Sequence, residues 1–267
     1  MKGLKNVKVY LRNVGIVKTN IGIENGRIAY IGDDGDNIES LFETDGVVLP
    51  GFIDEHIHGA GGADAMDGSV EALQTISEYL VREGTTGFLA TTMTQSPENI
   101  TKALNAVKEI RTGGEYKGAE VLGVHLEGPF ISPKHVGAQP LEYVAVPSAE
   151  VFDKYNEVSG NSIRIVTLAP EVDGGLELIR HLKEVGVVAS VGHTGGKYSD
   201  VVKAVEAGAT NVTHTYNAQT GLHHREAGVV GAAMLLDELN CEMICDTIHG
   251  SVPAIKLVIK NKPSDKY

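Results

Sequence analysis

The sequence predicts an α/β fold, a (β/α)8 TIM-like barrel that lacks its eighth strand, with a small antiparallel β-sheet domain before it. Three observations support this prediction. From about residue 47, short apolar segments alternate with helical ones, and histidine or glutamate side chains follow several of these segments. Residues 1–46 show strand-like alternation and few helix signals. Repeated βα units favour a parallel sheet, and a barrel, more than an open doubly wound sheet, explains strand ends that converge on one mouth.

The N-terminal residues 1–46 are predicted to form part of a small β-sandwich, and residues 47–267 the incomplete barrel. Val7–Leu11 and Arg27–Ile31 alternate in the manner of short strands. Asn25-Gly26 lies between Ile23-Glu24 and Arg27-Ile28, which is a strong signal for a two-residue hairpin turn. The barrel strands are predicted near residues 47–54, 86–92, 121–127, 163–168, 187–192, 210–214 and 241–246.

Helices are predicted between most of these strands. Ser96-Pro97 is a helix start, because a serine can cap the first turn and proline suits the first helical position. Helical spacing predicts the apolar faces of three helices, two of which end before a glycine. These faces are Ile100, Leu104, Val107 and Ile110; Leu176, Ile179, Leu182 and Val185 before Gly186; and Val201, Val202 and Val205 before Gly208. A last helix is predicted from about Ser251 to Asn261.

The strand count falls one short of a closed barrel. Seven strands are predicted where eight are needed, and the sequence stops at Tyr267 after the seventh helix. An unclosed barrel leaves two unpaired edges, which is a costly arrangement. The expectation is therefore that these residues are a fragment of a longer protein, truncated at the C-terminus.

Composition excludes several classes of partner. The 267 residues carry a formal net charge of −12, which argues against a phosphate-backbone surface and hence against nucleic acid. The N-terminus has no apolar signal core, and no segment has the roughly 20 apolar residues of a membrane span. Two cysteines do not indicate a disulfide framework, so a cytoplasmic protein with no membrane partner is expected.

Five candidate metal ligands follow the predicted strands. They are His56 and His58 after the first, Glu127 at the end of the third, His193 after the fifth and His214 after the sixth. Imidazole and carboxylate suit borderline-soft cations, and strand ends on one barrel face converge. A site for one or two divalent ions is predicted, with zinc or iron as the main candidates and manganese or cobalt also compatible. Such ions suit amide hydrolysis, for which the general-base carboxylate is expected on the absent eighth strand.

A second group of polar residues follows His214. Asn217-Ala218 comes first, then His223-His224-Arg225-Glu226, and Asp246-Thr247-Ile248-His249 leaves the seventh strand. An arginine and several histidines in loops at the barrel mouth could hold a phosphate in an otherwise acidic protein. The alternative is a surface loop with incidental charge.

The motifs resemble a known family. Leu49-Pro50-Gly51-Phe52-Ile53-Asp54-Glu55-His56-Ile57-His58-Gly59 is similar to the opening metal motif of the amidohydrolase superfamily. His125-Leu126-Glu127-Gly128-Pro129-Phe130, Gly192-His193-Thr194, His214-Thr215-Tyr216-Asn217-Ala218 and the Arg225 loop together resemble the N-acetylglucosamine-6-phosphate deacetylases. The resemblance extends over nearly the whole chain.

The resemblance implies a role for each matching residue. Glu127, His193 and His214 would be the primary metal ligands, and His56 and His58 would complete a second position. The substrate, a small amino-sugar phosphate, would contact Ala138 and Gln139, with Asn217, Ala218, Arg225 and His249 around its phosphate. A homodimer is implied, since a subunit of this family can borrow a phosphate-binding residue from its partner. Gln219 departs from the family pattern, and the catalytic aspartate is expected beyond Tyr267, so no general base is assigned within this chain.

The implied reaction is metal-dependent hydrolysis of the acetamide of N-acetylglucosamine 6-phosphate to glucosamine 6-phosphate and acetate. Two alternatives stay open at this stage. Another amidohydrolase could act on a cyclic amide, although Glu127 and the Arg225 loop argue against that. The chain could also be an inactive protein that binds a metal or a sugar phosphate, which the missing eighth strand favours.

Overall fold

The chain divides into two compact units. The computed structural model describes residues 1–113 and 117–267. The first unit is Met1–Phe52 and the second is Ile53–Tyr267. The predicted assignment of 1–46 to a β-sandwich part and of 47–267 to the hydrolase barrel stays a prediction.

The first unit is a small sheet around an apolar cluster. Its strands are β1 (Lys2–Leu11), β2 (Gly15–Glu24), β3 (Arg27–Gly32), β4 (Glu39–Ser40) and β5 (Val47–Val48). β1, β2 and β3 pair antiparallel, and β4 and β5 each add to β1 in parallel. The predicted hairpin turn has Asn25 at φ 52° and Gly26 at φ 72°, the left-handed geometry of a type I′ turn. Leu4, Val7, Val9 and Ile21 are buried together beneath the sheet.

The second unit contains the predicted parallel sheet. Its strands are β6 (Phe52–Ile57), β7 (Gly59–Ala60), β8 (Ala63–Asp64), β9 (Thr85–Thr91), β10 (Glu120–Glu127), β11 (Ile163–Leu168), β12 (Val188–Val191), β13 (Asn211–Val212) and β14 (Asn240–Cys241). In the described residues the main sheet has seven strands in the order β14-β13-β12-β11-β10-β9-β6, and β7 and β8 form a separate short pair. The predicted α/β fold with a small N-terminal sheet is confirmed.

Two predicted strand boundaries are wrong. The strand near 47–54 is divided, because Val47–Val48 pairs with β1 and the barrel strand begins at Phe52. Pro50 and Gly51 separate the two pieces, and a proline without an amide proton readily interrupts a ladder. The strand near 241–246 ends early, at Cys241.

Seven helices of the described chain connect and cover these strands. They are α1 (Val70–Leu80), α2 (Pro97–Thr112), α3 (Ala149–Val158), α4 (Gly175–Glu184), α5 (Tyr198–Ala207), α6 (Gly228–Leu235) and α7 (Val252–Asn261), with short 3-10 turns at Ala65–Asp67, Val81–Glu83 and Leu141–Tyr143. Each α-helix contacts the next along the chain. No helix in the described residues is long and apolar enough to span a membrane.

The predicted helix signals have physical counterparts. Ser96 Oγ accepts a hydrogen bond from the Asn99 amide at 3.3 Å, as expected of a capping residue. The predicted apolar face of α2 is buried. The face predicted for α4 is wrong at Val185, which lies after the helix and is 48% exposed. The chain turns there, since Gly186 adopts φ 75°.

Replacement of Leu178 in α4 by alanine tests the packing of this outer layer. Leu178 is only 1% exposed, and truncation of a buried leucine costs about 2–5 kcal/mol through lost burial and a residual cavity. Urea unfolding should show this loss. Its neighbour Glu177 makes an exposed ion pair with Arg180, so Glu177→Ala should change the free energy of unfolding by less than about 1 kcal/mol. Equal losses in the two variants would contradict the packing assigned to α4.

Candidate metal centre

The five predicted metal ligands meet at the carboxyl ends of the parallel strands. Glu127 is the last residue of β10, and its Oε1 lies 3.1 Å from Nε2 of His193 and 3.1 Å from Nε2 of His214. Nε2 of His56 is 3.5 Å from the same oxygen, and Nε2 of His58 is 3.3 Å from Oε2. Four imidazoles from three separate parts of the chain therefore surround one carboxylate.

The topology explains why these residues meet. All the strands from β9 to β14 run parallel, so their carboxyl ends lie at one edge of the curled sheet. His193 and His214 follow β12 and β13 and adopt positive φ values of 46° and 29°. Such values are uncommon for residues other than glycine and concentrate at functional sites.

In three of the rings, the nitrogen that faces away from Glu127 lies within hydrogen-bond distance of an acceptor. Nδ1 of His193 donates to the His135 carbonyl at 2.9 Å, and Nδ1 of His58 faces the Thr91 carbonyl at 3.3 Å. Nδ1 of His56 lies 2.9 Å from Oε2 of Glu242. A carbonyl oxygen can only accept, so Nδ1 carries the proton in His58 and His193, and the Nε2 lone pairs of these two rings are directed at the centre. This is the arrangement found around metal-binding histidines.

The donor set fits a divalent cation. Nε2 of His193 and Nε2 of His214 are 3.1 Å apart, and two lone pairs so close to each other and to a carboxylate repel unless positive charge lies among them. Imidazole nitrogen with carboxylate oxygen is a set that zinc, iron, manganese and cobalt accept. Glu127 with His193 and His214, and Glu127 with His56 and His58, each form a group with metal-binding spacing.

The electrostatics of the cluster favour positive charge beside Glu127. Burial raises the pKa of Glu127, but the close contacts with the His193, His214 and His58 rings outweigh burial and hold that pKa well below its ordinary value. For His58 and His214, burial lowers the pKa, and Glu127 more than compensates and raises it. Burial lowers the pKa of His56 to about 4. A proton and a cation therefore compete for the same nitrogen atoms.

Gln139 and the neighbouring loop contact the centre. Gln139 is buried, its Oε1 accepts from the Thr94 amide at 2.8 Å, and its Nε2 lies 3.3 Å from Nε2 of His193. A Cβ atom built on Gly137 would come within 3.4 Å of Cε1 of His193 and 3.8 Å of Cβ of Ala218. Ala138 is exposed between Gly137 and Gln139. The loop 137–139 therefore borders the centre.

The segment after His214 also borders the centre. The Ala218 carbonyl accepts from the Thr194 amide at 3.1 Å, beside His193. Nδ2 of Asn217 is buried and has no hydrogen-bond partner in the described part of the chain. Gln219, the departure from the family pattern, directs its side-chain amide at the His214 carbonyl, 3.4 Å away. Oε1 of Gln219 is buried without a hydrogen-bond partner in the described residues.

Arg225 and His249 have no hydrogen bond or ion pair to Glu127 or to the four histidines around it among the described residues. Both are exposed. Nδ1 of His249 lies 2.6 Å from Oδ2 of Asp246, whose Oδ1 accepts from the Ile248 and His249 amides at 2.8 Å. Asp246 thus orients the His249 ring. The phosphate-binding role of Arg225 and His249 stays a prediction.

Two residues were missed or left open by the sequence. Glu242, whose side chain is only 8% exposed, received no role, although it is the one acidic residue in the apolar segment 240–245. His125 lies two residues before Glu127 and therefore on the same side of the strand, so the sequence leaves open whether it lines the site or fills the barrel. It fills the interior: Nδ1 faces the Glu55 carbonyl at 2.9 Å and Nε2 lies 2.7 Å from Oγ1 of Thr167.

The comparisons with known proteins agree with this geometry. Residues 47–260 match the amidohydrolase family, and the chain belongs to that family. Within it, the chain is 44% identical to the N-acetylglucosamine-6-phosphate deacetylase of Bacillus subtilis (strain 168), over 98% of this chain and 68% of that protein. It is also 38% identical to the N-acetylgalactosamine-6-phosphate deacetylase of Escherichia coli O157:H7, over 82% of this chain and 58% of that one.

Solved structures give the same result. The N-acetylglucosamine-6-phosphate deacetylase of Thermotoga maritima superposes with a TM-score of 0.85 at 32% identity, covering 99% of this chain and 68% of that one. A variant of the Mycobacterium smegmatis enzyme, solved in complex with N-acetyl-D-glucosamine-6-phosphate, has a TM-score of 0.84 at 28% identity, over 97% of this chain and 67% of that one. The resemblance inferred from the motifs is confirmed.

Proposed function

We propose that this chain hydrolyses the acetamide of N-acetylglucosamine 6-phosphate to glucosamine 6-phosphate and acetate. The observation that supports this most directly is the convergence of four imidazole Nε2 atoms on the buried carboxylate of Glu127. The similarity to deacetylases of amino-sugar phosphates over 98% of the chain supports the substrate class.

The residues of the centre divide into two groups of ligands. Glu127, His193 and His214 would hold one divalent ion, and Glu127 with His56 and His58 would hold a second. A bound ion of this kind polarises the acetyl carbonyl and lowers the pKa of water at the site. Zinc or iron is proposed, with manganese or cobalt as alternatives.

The substrate would lie above these ligands against residues 137–139 and 217–218. The buried Asn217 amide, whose Nδ2 has no hydrogen-bond partner in the described residues, is a donor available to a ligand oxygen. Ala138 and Gln139 border the sugar, and Arg225 and His249 take the phosphate, so that remote binding energy orients the amide. The homodimer, the cytoplasmic location and the general-base aspartate stay predictions.

A substrate panel tests the proposal. The chain loaded with zinc or ferrous iron is incubated with N-acetylglucosamine 6-phosphate, its galactosamine epimer, a hydantoin and a dihydropyrimidine. Acetate release from the first compound is expected, and chelation should abolish it. The relative from Escherichia coli makes the galactosamine epimer the natural second candidate. Ring opening of a cyclic amide would contradict the proposal, and sugar-phosphate binding without turnover would favour the inactive alternative.

Arg225→Ala should separate phosphorylated from unphosphorylated substrate. A charge-assisted hydrogen bond contributes about 1.5–3 kcal/mol, so kcat/KM for the phosphorylated sugar should fall roughly 10- to 100-fold while that for N-acetylglucosamine changes little. Arg180→Ala, on the exposed surface of α4, is the matched control. Equal losses on both sugars would remove Arg225 from the phosphate site.

A further inference from the structure

Glu242 places a buried carboxylate behind one of the proposed metal ligands. It directly follows β14, where its amide donates to the Val212 carbonyl at 3.0 Å and its carbonyl accepts from the Thr215 amide at 2.8 Å. Its backbone is therefore held on both sides, and its side chain is directed into the curled sheet.

The side chain reaches across the opening of the sheet. β14 and β6 are the two end strands in the sheet order, yet Oε2 of Glu242 lies 2.9 Å from Nδ1 of His56 in β6. The His56 side chain is 17% exposed and that of Glu242 8%. A buried contact between the two edge strands is thus made by the ring of a proposed ligand.

In the described residues, His56 is the only side chain that hydrogen-bonds to the Glu242 carboxylate. Oε1 of Glu242 is buried without a partner there, although burial of a carboxylate with so few hydrogen bonds is costly. His58 and His193 have neutral carbonyls behind them. A carboxylate in that position forms a stronger, charge-assisted hydrogen bond than a neutral carbonyl does. It also makes the far ring nitrogen a better electron-pair donor to a metal ion.

We propose that Glu242 is a positioning residue that accepts the Nδ1 proton of His56 and holds the Nε2 lone pair of that ring toward Glu127 and the bound ion. This inference depends on the metal centre of the proposed function. It assigns no reaction step to Glu242, since the carboxylate lies behind the ring and not among the four converging nitrogens.

Direct coordination by Glu242 is the competing explanation. Glu242, His56 and His125 have metal-binding spacing. However, both nitrogens of His125 are already engaged, by the Glu55 carbonyl at 2.9 Å and by Oγ1 of Thr167 at 2.7 Å. Nδ1 of His56 is likewise engaged by Glu242. The hydrogen-bonded arrangement therefore accounts for every nitrogen of this group without a further ion.

The test is a double-mutant cycle read by cobalt binding. Co²⁺ is titrated into the metal-free chain, and its visible absorption gives the affinity and the number of ions. Glu242→Ala should weaken binding roughly 10- to 100-fold, the usual cost of losing a partner behind a metal-binding histidine. Glu242→Gln should lose less, because its amide oxygen can accept the same proton. Glu238→Ala, at an exposed position before β14, should match the wild type.

Combining Glu242→Ala with His56→Ala distinguishes a positioning role of Glu242 from a general effect on the structure of the chain. If Glu242 acts through His56, then Glu242→Ala adds no further loss in a His56→Ala background. Additive losses would overturn the inference, and so would an equal loss of one whole ion in Glu242→Ala and His125→Ala. If Glu242→Ala does not fold by circular dichroism, the cycle is run with Glu242→Gln, whose smaller loss should likewise vanish in the His56→Ala background.

The failures of the two proposals can be told apart. A wild-type chain that binds no Co²⁺ would overturn both the proposed function and this inference. A wild-type chain that binds Co²⁺ through Glu127, with Glu242→Ala and Glu242→Gln both binding as tightly as the wild type, would overturn only the role of Glu242.

Discussion

Glu127→Gln should abolish retention of the divalent cation, with the affinity falling more than about 100-fold. Glu127 is the residue common to both proposed ligand groups, and loss of an outer partner alone costs 10- to 100-fold. The substitution keeps the shape of the side chain but removes its charge, and it turns an amide group toward the four imidazoles.

Metal content after dialysis and the affinity from Co²⁺ titration measure this loss. Acetate release should fall in parallel, since the reaction needs the ion. Glu120→Gln is the matched control, because Glu120 begins the same strand and is exposed. A Glu127→Gln chain that retained its metal would show that the four histidines suffice without the carboxylate.

A second outcome of Glu127→Gln concerns the histidines themselves. Glu127 raises the pKa of His58 and His214 against the opposing effect of burial. Without its charge, these rings lose the group that favours their protonated form. Nuclear magnetic resonance of the imidazole protons in the metal-free chain would detect this change separately from activity.

The candidate ligands were predictable because strand ends are visible in the sequence. Each of Glu127, His193 and His214 ends or follows a short strand-like segment, and parallel strands bring such positions to one edge. The exact strand lengths did not matter for this inference. β13 is only two residues long, yet His214 still reaches the cluster through the turn that follows it.

Glu242 was not predictable for a reason that concerns strand length. The apolar segment 241–246 suggests a strand through Glu242, which would make it an interior position. In the structure β14 ends at Cys241, so Glu242 occupies a strand end, as the other residues of the site do. The end of β14 depends on its pairing with β13. The sequence of one strand alone does not determine how far it pairs with another.

The division of residues 47–54 between two sheets has a similar cause. Val47 and Val48 continue the apolar pattern that Phe52 and Ile53 extend, and nothing in the pattern itself assigns the two halves to different partners. Pro50-Gly51 marks the break, but only the pairing of Val47–Val48 with β1 shows what the first half does. Local sequence patterns thus predict where a strand forms better than they predict which strand it pairs with.

Removal of the cation should lower the thermal stability of the chain substantially. The proposed ligands lie at residues 56, 58, 127, 193 and 214, so one centre links four strands that are distant in sequence. An ion that binds only the folded chain stabilises it by about 4.1 kcal/mol at 1,000 times its Kd. At 2–4 °C per kcal/mol for chains of this size, chelation should lower the Tm by roughly 8–16 °C.

Scanning calorimetry with and without a chelator measures this shift. Mg²⁺, which prefers oxygen ligands and octahedral geometry, should restore far less of the Tm than Zn²⁺. Glu127→Gln should melt near the chelated wild type and should not respond to Zn²⁺, whereas Glu120→Gln should respond as the wild type does. An unchanged Tm on chelation of a metal-loaded wild type would mean that the ion does not connect these strands, because a ligand that binds only the folded state must raise its stability.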